Sequence, residues 1–96
     1  MNVTIQHDPD RQQFYVDFGT HTEEAHLIYD QPQQDIMDFV STFVPEPYRD
    51  KGVARQLVKA GLDYAKEKNR TVIATCPVVE EYLNKHQEEY DEIRSA

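Results

Sequence analysis

Cysteine occurs once in the 96-residue chain, at position 76, which rules out an intrachain disulfide and any zinc site built on several thiolates. A lone thiol fits a reducing compartment. No apolar run approaches membrane-spanning length. The opening Met1-Asn2-Val3-Thr4-Ile5 has neither a basic start nor the apolar centre of a secretory signal. A cytoplasmic protein with no membrane role is the expectation. Positive charge is scarce as well: 10 Lys and Arg stand against 18 Asp and Glu, a formal charge of −8. Nucleic-acid binding runs on cations that neutralise phosphates, so nucleic acid is not an expected partner. An acidic surface suits a cationic or amine partner, and it equally serves solubility alone.

What is present suits a single domain over residues 1–96. The hydrophobic fraction is 39% and the charged fraction 29%, with enough aromatic and β-branched residues to build one core. The first half alternates with the period of strands. Val3, Ile5 and His7 form one run, ended by Asp8-Pro9-Asp10. Phe14, Val16 and Phe18 form a second, broken at Gly19-Thr20, and Ala25, Leu27 and Tyr29 a third, broken at Gln31-Pro32-Gln33. A fourth strand runs from Ile36 to Val44; its second half is apolar or small on both faces, which predicts cover on both sides.

The period then changes. Val53, Ala54, Leu57, Val58, Gly61, Leu62 and Ala65 recur at three- and four-residue spacing, an amphipathic helix over residues 51–68 that Asn69 can end. A short strand, Thr71 to Thr75, follows. Pro77 suits the first turn of a second helix carrying Val78, Val79, Tyr82 and Leu83. The acidic tail from Gln87 reads as a short docked helix. The order predicts an α+β fold: a mostly antiparallel mixed sheet with a C-terminal βαβ crossover that sets strands four and five parallel.

The chemistry concentrates where the fourth strand leads through a loop into the long helix. A helix start presents backbone N–H groups without intrahelical partners, and the macrodipole adds positive potential. Gly52 permits close approach or an unusual dihedral, Ala54 leaves the first turn open, and Arg49, Lys51 and Arg55 surround it. Residues 49 to 70 hold seven Lys/Arg and three Asp/Glu, a local balance of +4 in a chain of −8. A cationic island on an acidic protein points to a phosphate-bearing ligand. The plainer alternative is a solvated helix face with Gly52 serving a turn.

Arg49-Asp50-Lys51-Gly52-Val53-Ala54 resembles the Arg/Gln-x-x-Gly-x-Gly/Ala signature of the GCN5-related N-acetyltransferases, in the same place between the fourth strand and the next helix. Val44-Pro45-Glu46, the run from Leu57 to Ala65, and Cys76-Pro77 are similar to the small single-domain subgroup of that family. The resemblance implies acetyl-CoA or coenzyme A as ligand. Backbone amides of Lys51, Gly52, Val53, Ala54 and Arg55 would hold the pyrophosphate, with Arg49 beside them. Phe43 and Val44 would pair with the pantetheine arm as another strand does. The thioester would lie near Cys76. Three departures stand out. Ser41-Thr42 replaces the His-Thr often found in the subgroup. Asp50 occupies a frequent glycine position, where it brings negative charge toward the phosphates unless it caps the helix. The two helices that larger members insert after the first strand are missing.

Cys76, at a helix start, is the candidate catalytic residue, as acetyl carrier or as proton donor to the leaving thiolate; the alternative is a small buried core residue. Asp38, Ser41 and Glu80 are the candidate bases. Tyr82 and Tyr90 could donate protons, but tyrosines at helical spacing usually pack, and packing is the reading taken; His86 follows Lys85 and could approach a phosphate, with a surface histidine as the plainer reading. His7, His21, His26 and His86 are scattered without ligand spacing, so no metal is expected. The expected activity is acetyl transfer from acetyl-CoA to an amine, thiol or peptidic acceptor. The alternative is a CoA-binding module with little catalysis. Neither the acceptor nor the oligomeric state is legible.

Overall fold

The computed structural model describes residues 1–19 and 23–95, so the expected breaking role of Thr20 and the site of His21 lie outside the described residues. Five strands form one sheet: β1 Gln6–Asp8, β2 Gln13–Asp17, β3 Glu24–Gln33, β4 Ile36–Phe43 and β5 Thr71–Ala74. They lie side by side in chain order; the first four are antiparallel, and β4 and β5 are parallel. A 3-10 turn at Glu46–Tyr48 leads from β4 toward α1 Val53–Glu67. After β5 come α2 Pro77–Lys85 and a single turn, α3 Gln87–Tyr90. The predicted α+β architecture and its βαβ crossover are both present. Among the described residues no helix is long and apolar enough to cross a membrane.

One core lies on one face of the sheet. Phe14, Leu27, Tyr29, Phe39, Met37 and Val72 are buried there against Leu57, Val58 and Leu62 of α1 and Val79 and Leu83 of α2. Their registers agree: Phe14 faces Leu27, Tyr29 faces Phe39, and Met37 faces Val72. The opposite face carries Tyr15, Asp17, Ile28 and Asp30, none of them buried. The second half of β4 is therefore not covered on both sides as expected. Ser41 and Phe43 are exposed, because the helices all pack onto the other face.

Three boundaries differ from the alternation pattern. The first strand is Gln6–Asp8 rather than the run from Val3, because Val3 and Ile5 pack against the core from outside the ladder. β3 continues through Pro32 to Gln33, where a break was expected. Its pairing with β4 is irregular between Asp30 and Gln33, so Pro32 sits where the regular ladder asks for no N–H. The tail is only one turn of helix, and beyond it Val72 N–H donates to Ile93 C=O at 2.7 Å and Ser95 N–H to Val72 C=O at 2.9 Å, along the outer edge of β5. Asn69 does end α1. It is left-handed (φ 55°), with Arg70 N–H reaching Ala65 C=O at 2.8 Å and Asn69 N–H reaching Lys66 C=O at 3.2 Å.

Gly61 marks the closest approach of α1 to the sheet. A Cβ there would lie 2.9 Å from both Leu27 Cδ2 and Phe39 Cε1. Alanine would gain about 1 kcal/mol of helix propensity, whereas overpacking a buried seam costs about 1–3 kcal/mol. Gly61→Ala is therefore expected to destabilise the protein by about 1 kcal/mol in urea unfolding; a raised midpoint would show that Phe39 can move aside.

Candidate functional site

The site begins with an irregularity in β4. Tyr29 pairs with Phe39 but Ile28 pairs with Ser41, which leaves Val40 as an extra residue. Such a bulge shifts side-chain parity by one. Continued alternation from Met37 and Phe39 would have put Ser41 on the core side. Instead Leu27 opposes Thr42, so Thr42 takes the core side and Ser41 stays exposed. The parallel ladder to β5 also ends here, its last rung being Phe39 opposite Ala74. Cys76 N–H donates to Phe39 C=O at 2.8 Å, and the chain then turns into α2. β4 and β5 part, and the strand edge beyond Phe39 borders open space.

A cavity of about 780 Å³ fills that opening. Thr42, Phe43 and Val44 form the β4 wall. Tyr48, Arg49, Asp50, and the first turn of α1 from Gly52 to Arg55 form the second wall. Val78, Glu81, Tyr82, Lys85 and His86 of α2 form the third. Of the residues expected at a ligand site, Phe43, Val44, Arg49, Gly52, Val53, Ala54 and Arg55 line the cavity and Lys51 does not.

The start of α1 has the character of an anion site. Gly52 is the cap residue and left-handed (φ 81°), a conformation glycine adopts without cost, and no side chain caps the helix. The first intrahelical bond is Gln56 N–H to Gly52 C=O at 3.2 Å, so the N–H groups of Val53, Ala54 and Arg55 precede it without helical partners. Asp50 does not cap the helix, contrary to one expectation. It is left-handed as well (φ 62°), which accounts for the preference for glycine at such a position. Arg49 Nε donates to Val44 C=O at 2.8 Å, and its guanidinium stands 5.9 Å from the Phe43 ring centre. The strand end and the cationic loop are thus joined by one side chain. Tyr48 stacks on Phe18 with centroids 3.7 Å apart, fixing the loop from behind.

Cys76 is 4% exposed and does not line the cavity. Its Sγ lies 3.3 Å from Thr42 Oγ1, and Thr42 does line it, so the thiol stands one hydrogen bond behind the wall. None of the candidate bases reaches the cavity. Asp38 accepts from Thr75 Oγ1 at 2.6 Å, Ser41 is turned to the far face by the bulge, and Glu80 is exposed. Glu81 lines it but is paired with Lys85 at 2.9 Å. Tyr82 is buried, stacks on His86 at 4.1 Å, and lines the cavity. Burial pushes its hydroxyl above the usual tyrosine range, so it is still further from ionising than an ordinary tyrosine. Tyr90 packs too, donating to Asp63 Oδ1 at 2.6 Å.

The α2 wall was the part least visible beforehand. Lys85 and His86 stand beside the cavity because α2 closes over the parted strands, a tertiary placement no local spacing reports. Among the described residues no group of three His, Cys, Asp or Glu side chains is arranged to hold a metal.

Comparison with known proteins gives a consistent result. A profile of the family described as GCN5-related N-acetyl-transferase matches residues 13–93. Protein NATD1 of Mus musculus is 32% identical over 84 residues, covering 88% of this chain and 76% of that protein. Protein NATD1 of Homo sapiens is 32% identical over 84 residues, covering 88% of this chain and 74% of that protein. Among solved structures, a GCN5-like protein of Staphylococcus aureus, determined by NMR in solution, is similar with a TM-score of 0.72. It covers 99% of this chain and 90% of its own at 24% identity, a likeness of fold.

Asp50 offers a direct test of the turn. Asp50→Gly relieves a left-handed residue and is expected to raise stability by about 0.5 kcal/mol in thermal unfolding. It also removes a carboxylate from the cavity wall, so pyrophosphate should bind more tightly. A lowered Tm would mean that the carboxylate makes a bond worth more than the strain.

Proposed function

The chain belongs to the GCN5-related N-acetyltransferase family, and on that premise we propose that it binds acetyl-CoA in the cavity and transfers the acetyl group to an amine or thiol acceptor. The observation that carries this reading is the turn at Gly52. A left-handed helix start, uncapped among the described residues and with three N–H groups that have no partner among them, flanked by Arg49 and Arg55, fits a diphosphate. The cavity continues from that turn along the β4 edge, where Phe43 and Val44 have the free-edge character that suits an extended amide-bearing arm. Val44 C=O already accepts from Arg49, so the arm would pair with other β4 groups or displace that bond.

Acetyl-CoA supplies an activated acyl group as a thioester. The chain's residues bind and orient it. In this reading the Cys76 thiol, reached past Thr42, has one of two roles: its sulfur takes the acetyl carbon as the donor's S–C bond breaks and the released thiolate takes up the thiol proton, or it gives its proton to that thiolate as the acceptor takes the acetyl group directly. Tyr82 brings a protonated hydroxyl to the wall itself.

One observation favours the alternative of a CoA-binding module with little catalysis: Asp38, Ser41 and Glu80 all stand outside the cavity, and the carboxylates on its wall are Asp50, in the turn assigned to the phosphates, and Glu81, paired with Lys85.

Titration calorimetry with acetyl-CoA tests the common part. Binding is expected, and Gly52→Glu, which forces a side chain into a left-handed position and adds a negative charge, should weaken it at least about tenfold. No heat and no thermal shift in the unaltered protein would overturn the proposal. Mass spectrometry after incubation separates the two roles of the thiol. An acetyl adduct that disappears in Cys76→Ala, together with turnover, supports a covalent carrier; unchanged turnover in that variant removes the thiol from catalysis.

A further inference from the structure

Gln56 lies one turn inside α1 and does not line the cavity, yet both ends of its carboxamide are engaged. Oε1 accepts the Val3 N–H at 3.2 Å. Nε2 donates to Gly52 C=O at 3.0 Å and to Met1 C=O at 2.5 Å. Gly52 C=O also accepts the backbone N–H of Gln56 at 3.2 Å. One residue therefore grips the carbonyl of the left-handed cap residue twice, by side chain and by backbone, and its side chain fastens to it a segment more than fifty residues away.

The turn has reason to need this grip. Asp50 and Gly52 are both left-handed, and no side chain caps the helix. Arg55 Nη2 lies 3.5 Å from where a Gly52 Cβ would stand, and Gln56 Nε2 lies 3.9 Å from the same point, so the glycine is bracketed by the two residues. Val3 is itself packed against the core, which makes Met1–Val3 an anchored strap rather than a loose end. A site held in its binding geometry before the ligand arrives loses less order on binding.

We propose that Gln56 is a positioning residue for the diphosphate turn. It holds Gly52 and the free N–H groups after it by strapping Met1–Val3 behind them. This rests on the reading of the cavity as the CoA site, and the test keeps the two apart.

Two measurements decide it. Calorimetry with CoA compares the unaltered protein with Gln56→Ala, and with Val3→Pro, which removes the far N–H along with part of the Val3 packing and leaves α1 intact. Amide hydrogen exchange is followed in Gln56→Ala at position 56, whose backbone N–H donates to Gly52 C=O, and, as an internal control, at Val58 and Leu62. The expected result is a Kd raised about tenfold in Gln56→Ala and in the same direction in Val3→Pro. Exchange should accelerate at position 56 and stay unchanged at the two core amides, a pattern general destabilisation would not give. Unchanged affinity and unchanged exchange at position 56 in Gln56→Ala would overturn the assignment. If the unaltered protein does not bind CoA, the function proposed above fails, and the exchange pattern alone still decides whether Gln56 holds the turn.

Discussion

Parity within β4 governs the site. A strand assigns its residues to two faces by simple alternation, and one inserted residue reverses that assignment for everything after it. Val40 is that residue. Because of it Thr42, rather than Ser41, reaches the buried side and meets Cys76, while Phe43 is left at the rim. The parting of β4 from β5 begins at the same place, so the opening and the side chains that line it have a common local origin.

The second determinant is a pair of left-handed residues two apart, at Asp50 and Gly52. They swing the chain from the end of β4 into α1 so that the helix start faces the opening, and they leave its first N–H groups bare. Charge follows the same division. The stretch from Arg49 to Arg70 is cationic within a strongly acidic chain, and of its cations Arg49 and Arg55 stand on the cavity wall.

Sequence periodicity reported the elements whose packing is local and regular. The apolar stripe of α1, from Val53 to Ala65, is buried nearly as read, with Ala54 turned to the cavity instead. Asn69 ended the helix for the stereochemical reason that marks it in the sequence. The loop from Arg49 to Arg55 stood out because glycine and clustered cations carry a local signal. The bulge carried none: Val40 is an ordinary strand former, and its extra place is decided by pairing with β3. Pro32 misled in the other direction, since a proline that usually breaks a strand is tolerated where the ladder is already irregular. The grip of Gln56, and the way α2 sets Lys85 and His86 over the opening, were out of reach for another reason. Their roles depend on which distant segment lies beside them, and no residue near them in the chain records that.

The tail that runs along β5 has a consequence for the behaviour of the protein in concentrated solution. Open sheet margins are where copies of a β protein recruit one another into stacks. One margin here is a strand of only three residues, Gln6–Asp8, and the other is already occupied by Arg94 and its neighbours. Among the described residues, the strand edge without a ladder beyond Phe39 is recessed between two helices. A molecule built this way leaves its own copies little bare backbone to pair with.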